Sequence, residues 1–191
     1  MRLAIITLLI WTGVQSAMAY EQPEYTVLEE TADYEIREYA EHIVAEVNVD
    51  GDKNGSGNSA FRILAAYIFG ANVGKEEMNM TAPVETRRAE ENSYTYAFMM
   101  ERRYTLDTLP EPIDERIRIV KRPSRVMAVR SYSGSWREAN YRSNLAVLME
   151  ALSEDGLEFR GEPILARYDS PFTLWFIKRN EVMIELLPGE A

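Results

Sequence analysis

The sequence predicts an α+β domain in which duplicated β-β-α-β-β units form a distorted eight-stranded antiparallel barrel with two helices packed on it. Three observations carry that expectation. Short alternating apolar segments bounded by turn residues recur along the chain, the pattern of half-buried strands. Two stretches of helical periodicity interrupt them, each after a glycine that ends a strand pair. The two halves also correspond at a constant offset of 83 positions, with Ile36 on Ile119, Ile43 on Val126, Ala45 on Ala128 and Gly51 on Gly134. The halves then run from about 34 to 109 and from 113 to 187 within a single domain spanning 20–191. Curling the sheet towards a barrel removes most of its free edges; a flat α+β sandwich is the architectural alternative.

The elements follow in order. After a short polar lead, Tyr34 to Tyr39 alternates and reads as a strand. Glu41 to Val49 is a second, with Ile43, Ala45, Val47 and Val49 on one face and His42, Glu46 and Asn48 on the other. Gly51 to Gly57 reads as a flexible loop, and Asn58 or Ser59 as the N-cap of a helix that runs to Phe69. Gly70 stands at its C-terminal cap. Asn79 to Thr86 and Tyr94 to Met100 read as strands around a polar turn, and Leu109-Pro110-Glu111-Pro112 as a rigid linker. Ile117 to Ile119 and Val126 to Tyr132 begin the second half. Ser135 and Glu138 form a Ser-x-x-Glu capping box for a helix with Trp136, Ala139, Leu145, Leu148, Met149 and Leu152 on its apolar stripe. Asp155-Gly156 stops that helix, and Ile164 to Tyr168 and Val182 to Leu187 are the last strands.

The two helices differ. The second is cleanly amphipathic, as a helix lying on a sheet should be. In the first, Phe61, Ile63, Leu64, Tyr67, Ile68 and Phe69 cover most of the circumference, and Arg62 is the sole charge between Asn58 and Phe69. Ala60, Leu64 and Tyr67 make a core stripe, which leaves Ala66 and Phe69 on the side of Arg62. More of the same domain, a partner or an apolar ligand covers that side.

Composition narrows the function classes. Met1-Arg2, an apolar run from Leu3 to Val14 and the small-x-small sequence Ala17-Met18-Ala19 form a secretory signal peptide over residues 1–19. The run is too short to span a bilayer, so no stable membrane insertion is expected after cleavage. The mature chain carries 20 Lys and Arg against 31 Asp and Glu, a net charge of −11. That disfavours nucleic acid and anionic membrane surfaces, which need a basic footprint. The cysteine count is zero, which excludes disulfides and thiolate metal sites in this exported, periplasmic or secreted protein. Asn54-Gly55-Ser56 and Asn79-Met80-Thr81 fit the N-glycosylation pattern.

Catalytic signatures are absent. There is one histidine, no cysteine, no Gly-x-Ser-x-Gly element, no phosphate-binding loop and no dinucleotide fingerprint. His42 lies on the polar face of a strand. It reads either as an exposed sheet histidine or as an axial ligand to haem iron. Lys178 and Arg179 fall in a loop and can pair with carboxylates of a ligand.

Four stretches together resemble the SOUL haem-binding family: Tyr34–Tyr39 (YEIREY), Ala60–Asn72 (AFRILAAYIFGAN), Met80–Val84 (MTAPV) and Tyr168–Val182 (YDSPFTLWFIKRNEV). The resemblance covers roughly Tyr25 to Leu187. Its most specific part is Met-Thr-x-Pro-Val soon after the Tyr-Ile-Phe-Gly-x-Asn helix end. It implies a barrel-like α+β domain with an internal duplication and no established enzymatic activity. It also implies an apolar groove beside the first helix that binds haem or another tetrapyrrole. The residues then expected at the groove are Phe61, Arg62, Ala65, Ala66, Phe69, Lys178 and Arg179. The expected function is binding, buffering or transport of haem in an exported compartment, by a monomer or weak homodimer. A module for another apolar small molecule, or a protein–protein interaction domain using the same helix face, is the alternative.

Overall fold

The computed structural model describes residues 20–51 and 53–187; the expected signal peptide lies outside the described residues. In chain order the elements are β1 (Tyr25–Glu30), β2 (Glu35–Tyr39), β3 (His42–Asp50), α1 (Lys53–Ile68), β4 (Val84–Glu90), β5 (Ser93–Met99), β6 (Ile117–Arg122), β7 (Arg125–Ser133), α2 (Glu138–Glu154), β8 (Phe159–Arg167), a 3₁₀ turn (Trp175–Ile177) and β9 (Arg179–Leu186). The nine strands make one curled, half-barrel sheet in the order β1-β2-β7-β9-β8-β4-β5-β3-β6. Every neighbouring pair is antiparallel. The α+β half-barrel with two helices agrees with expectation. The strand number does not, because β1 is exposed along its whole length and so carries no apolar alternation to read.

Both helices pack on the same face of the sheet. Ala60, Leu64, Tyr67 and Ile68 of α1 are fully buried against Ala45 and Val47 of β3 and Tyr96 and Phe98 of β5. Leu148 and Leu152 of α2 pack on Ala128 of β7 and Val182 and Ile184 of β9. The central strands β4 and β8 therefore lie in a valley between the helices. On the opposite, concave face a smaller apolar cluster, Tyr39, Met127, Val129, Ile164, Ala166 and Met183, is interleaved with buried charge.

Two sheet registers are related. β2 pairs with β7 through Ile36↔Ala128, and β6 pairs with β3 through Ile119↔Ala45; these pairs exchange under the 83-residue offset. Exchanging β2 with β6, β3 with β7, β4 with β8 and β5 with β9 reverses the order of those eight strands and leaves it unchanged. Gly51 and Gly134, which close β3 and β7, both adopt positive φ (115° and 126°), a conformation that glycine reaches without steric cost.

Local departures have local causes. The helix α1 starts at Lys53, ahead of the expected Asn58 or Ser59 cap, and its first turns lie close enough to Tyr96 that a Cβ on Gly57 would sit 3.3 Å from the phenol oxygen. The expected capping box does not form. The α2 N-cap is Arg137 in extended conformation, because Asn140 Nδ2 donates to the Ser135 carbonyl at 3.0 Å and holds residues 135–137 out of the helix. Residues 79–83 are not ladder-paired. Thr81 Oγ1 donates to Met99 O at 2.6 Å, Ala82 N donates to Glu21 O, and β4 begins only at Val84. The expected linker is pinned on the end of α1, with Tyr67 OH donating to Pro110 O at 2.8 Å and Val73 N to Glu111 O at 2.9 Å.

Candidate functional site

The valley between the helices holds a groove of about 300 Å³, lined by Gly57, Asn58, Phe61, Val84, Tyr96, Phe98, Trp136, Arg167, Asp169 and Pro171. Its walls come from four places. One turn of α1 brings Phe61 edge-on to Phe98, with ring centroids 5.5 Å apart. The floor is central sheet, where Val84 of β4 and Arg167 of β8 are directly paired. Trp136 stands on the extended segment before α2, and Asp169 and Pro171 belong to the β8–β9 connection. That connection continues into an exposed apolar run, Phe172, Leu174, Trp175, Phe176 and Ile177.

The electrostatics of the groove are unusual for this chain. The Arg167 guanidinium lies 5.2 Å from the Trp136 ring centroid, and among the described residues it has no ion-pair partner. Burial pulls its proton affinity below the ordinary arginine value, against weaker support from Tyr96, Tyr132 and Glu138. Both Arg167 Nε and Trp136 Nε1 are buried without a hydrogen-bond partner among the described residues.

Of the expected groove residues, the structure brings Phe61 to the wall and Lys178 close behind it. Lys178 is buried rather than loop-exposed: its Nζ donates to Pro171 O at 3.0 Å and lies 3.9 Å over the Trp136 ring, a cation–π contact. Arg179 is committed elsewhere, donating to Glu181 at 2.8 Å and stacking 3.9 Å over Tyr168. Ala65 is buried beneath α1. Arg62 and Ala66 border a separate shallow depression with Asp114 and Arg116, and Phe69 projects outward, 61% exposed. Trp136 and Arg167 escaped the sequence reading. Helical spacing puts Trp136 on the α2 stripe, although its position just after the Gly134 turn is a signal of irregular backbone. Arg167 ends an otherwise apolar strand segment, and that lone charge was a signal as well.

His42 is not exposed. It is buried on the concave face, where its Nδ1 lies 2.8 Å from Ala40 O. A backbone carbonyl can only accept, so Nδ1 carries the proton, and Nε2 is left as a buried acceptor without a partner among the described residues. Burial lowers its pKa below the ordinary imidazole value. It borders a different cavity, with Met100, Tyr104 and Lys121, and is not among the groove residues. No group of three or more His, Cys, Asp or Glu side chains with metal-binding geometry occurs among the described residues.

The buried charges of the concave face pair with one another. Glu181, fully buried, accepts from Arg37 at 3.0 Å, Arg179 at 2.8 Å, Tyr168 OH at 2.7 Å and Ser131 Oγ at 2.9 Å. Burial opposes its ionisation, but Arg37 and Arg179 outweigh it and hold the carboxyl below the usual range. Glu85 is likewise held down by Arg122 and Arg125 against its burial.

The family model described as SOUL heme-binding protein matches residues 20–185. The chain belongs to the SOUL family. The SOUL stretch Tyr168–Val182 supplies the groove residues Asp169 and Pro171 as well as the exposed apolar run, and the helical SOUL stretch supplies Phe61. Among solved structures, this SOUL chain is similar to the EcmrR C-terminal domain, with 13% identity, a TM-score of 0.65 and coverage of 85% of this chain and 98% of that one. It is similar to an uncharacterized conserved protein from Listeria innocua (12% identity, TM-score 0.61, 88% and 93% covered). A hydrolase from Listeria innocua is also similar (13% identity, TM-score 0.60, 84% and 94% covered). At these identities the likeness is one of fold alone. No curated protein matches. Among the described residues, no helix is long and apolar enough to cross a membrane.

Proposed function

We propose that this protein binds haem or a related tetrapyrrole without catalysis, as a buffer or carrier in an exported compartment, and that the ligand sits in the groove between α1 and the β8–β9 connection. One observation carries the assignment of place: the uncovered centre of the sheet presents the apolar wall Phe61, Val84, Phe98 and Trp136 beside a half-buried cation, Arg167. A porphyrin is a flat apolar surface with two carboxylates, and this wall and cation suit it. At about 300 Å³ the groove lies at the small end of ligand pockets, so it takes one edge of the macrocycle. His42 lies outside the groove, so in this reading the wall and cation hold the ligand and iron ligation by His42 is not required. The related registers of the two halves support reading the domain as an internal duplication, with the groove where the two halves meet.

Titrating the mature apoprotein with haemin and following the Soret band tests the reading. Saturable one-to-one binding is expected, weakened about tenfold or more in Phe61→Ala, which removes a half-exposed wall residue, and spectrally unchanged in His42→Ala. A non-saturating, scatter-like change rejects the reading. The exposed run Phe172 to Ile177 favours a second reading, association through an apolar surface; a concentration-dependent dimer in light scattering of the apoprotein is its signature.

A further inference from the structure

Arg167 is set apart from the buried arginines of the concave face. Arg37 and Arg122, whose guanidinium groups are buried, each lie against a carboxylate, and Arg125, which is in no ion pair among the described residues, is supported electrostatically by Glu85. Arg167, at the sheet centre, is in no ion pair among the described residues, although the chain carries ten more acids than bases. Its Nε and the Trp136 Nε1, two buried donors on residues that line one groove, are both unmet. The neighbouring charges are of both signs, with Glu138 giving Arg167 weak electrostatic support. Asp169, a carboxylate on the groove lining, turns Oδ2 to the backbone N–H of Arg179 at 2.6 Å and makes no ion pair with Arg167, and the Lys178 ammonium beside Trp136 adds a second positive charge.

We infer that Arg167 and Trp136 form a carboxylate-recognition site inside the groove, so that the ligand is an apolar molecule entering with a carboxylate directed at the sheet centre. The chemistry is specific. A guanidinium fork donates to a carboxylate in bidentate fashion, and an indole N–H is a further donor to a carboxylate oxygen. A neutral ester offers one weaker acceptor and leaves the cation unpaired, so the groove discriminates acid from ester. Applied to a tetrapyrrole, which rests on the function proposed above, a propionate edge enters first instead of projecting towards Arg62 or Arg179.

Two matched pairs test this: protoporphyrin IX with its dimethyl ester, and pyrenebutyrate with its methyl ester, titrated by fluorescence in a buffer without phosphate or carboxylate. In the unmodified protein each acid is expected to bind about tenfold or more tighter than its ester. In Arg167→Leu that preference falls to within twofold. Trp136→Phe, which keeps an aromatic wall and removes the indole N–H, lowers the acid-over-ester preference several-fold. Equal binding of acid and ester by the unmodified protein overturns the carboxylate site and leaves tetrapyrrole binding standing; this comparison does not depend on any variant folding. A preference that survives in Arg167→Leu also overturns it. Discrimination between the pyrene probes with no binding of either porphyrin sustains the site and overturns the tetrapyrrole function. No binding of any probe overturns both.

Discussion

Replacing Glu181 by Gln removes one charge from the concave face and leaves its shape intact. Arg37 is 2% exposed and Glu181 0% exposed, so the guanidinium has no route to water when its partner is neutralised. Breaking a buried pair by one partner costs about 3–5 kcal/mol. Arg37 keeps Glu35 at 2.7 Å and Arg179 is partly exposed, which places the expected loss near the low end, about 3 kcal/mol. For a domain of this size that is a fall of about 6–12 °C in Tm. Urea unfolding at several pH values supplies a second readout. The Glu181 pKa is lowered in the folded state, so its stabilisation is complete above the ordinary glutamate value of about 4.3 and is lost as pH falls through the folded value. The gap between the unmodified protein and Glu181→Gln is therefore widest near pH 7 and narrows in acid. A loss under about 1 kcal/mol, or a gap independent of pH, would refute the reasoning that ion pairing holds this face together.

Four further perturbations have definite expectations. His42 is the only histidine, so its ring protons give an isolated NMR titration; burial places the midpoint below about 6.5. Its contribution to stability is complete above that value and is lost as pH falls below it, and a midpoint above about 6.5 contradicts the buried neutral ring. Leu64→Ala empties a site with 0% exposure under α1 and is expected to cost about 2–5 kcal/mol in urea unfolding. Thr81→Val deletes the 2.6 Å bond to Met99 O and should cost about 1 kcal/mol, whereas no change would mean that the bond does not anchor the segment before β4. Gly134→Ala meets both a φ of 126° and Asn140 Nδ2 at 2.7 Å, so destabilisation of about 1–3 kcal/mol is expected by thermal melting.

Legibility in the sequence followed burial geometry. The core stripe of α1 was readable because Ala60, Leu64 and Tyr67 recur at helical spacing and all bury against one sheet face. The second side, expected to be covered, is exposed at Arg62, Ala66 and Phe69, which lie outside the groove. The concave face was misread. Alternation along β3 separates two faces but does not say which meets solvent, and in a curled sheet both are buried, so His42 and Glu46 are inside. Lys178 and Arg179 read as loop cations available to a ligand because nothing in the sequence shows them committed: the Lys178 acceptor, Pro171 O, depends on a loop conformation, and the Glu181 that holds Arg179 is buried in a network that Arg37 joins across 144 positions. The groove was legible only through Phe61. Trp136 was hidden by a Ser-x-x-Glu sequence that imitates a cap, while Asn140 sets the real start of α2.

The sheet order has a mechanical consequence. β2 lies apart from β3, β4 and β5, separated from them by β7, β9 and β8, while β6 is bound to β3. The chain before and after Leu106 thus each lends a strand to the other, β2 to β7 and β6 to β3, as two interlocked hands do. Cutting the backbone near Leu106, an exposed residue between β5 and β6, would leave both fragments clasped through the β2–β7, β3–β6 and β4–β8 ladders. Neither half is a removable module. Expressed alone, each would present the unmet strand edges that its counterpart normally fills, and a second copy of itself is the nearest available substitute.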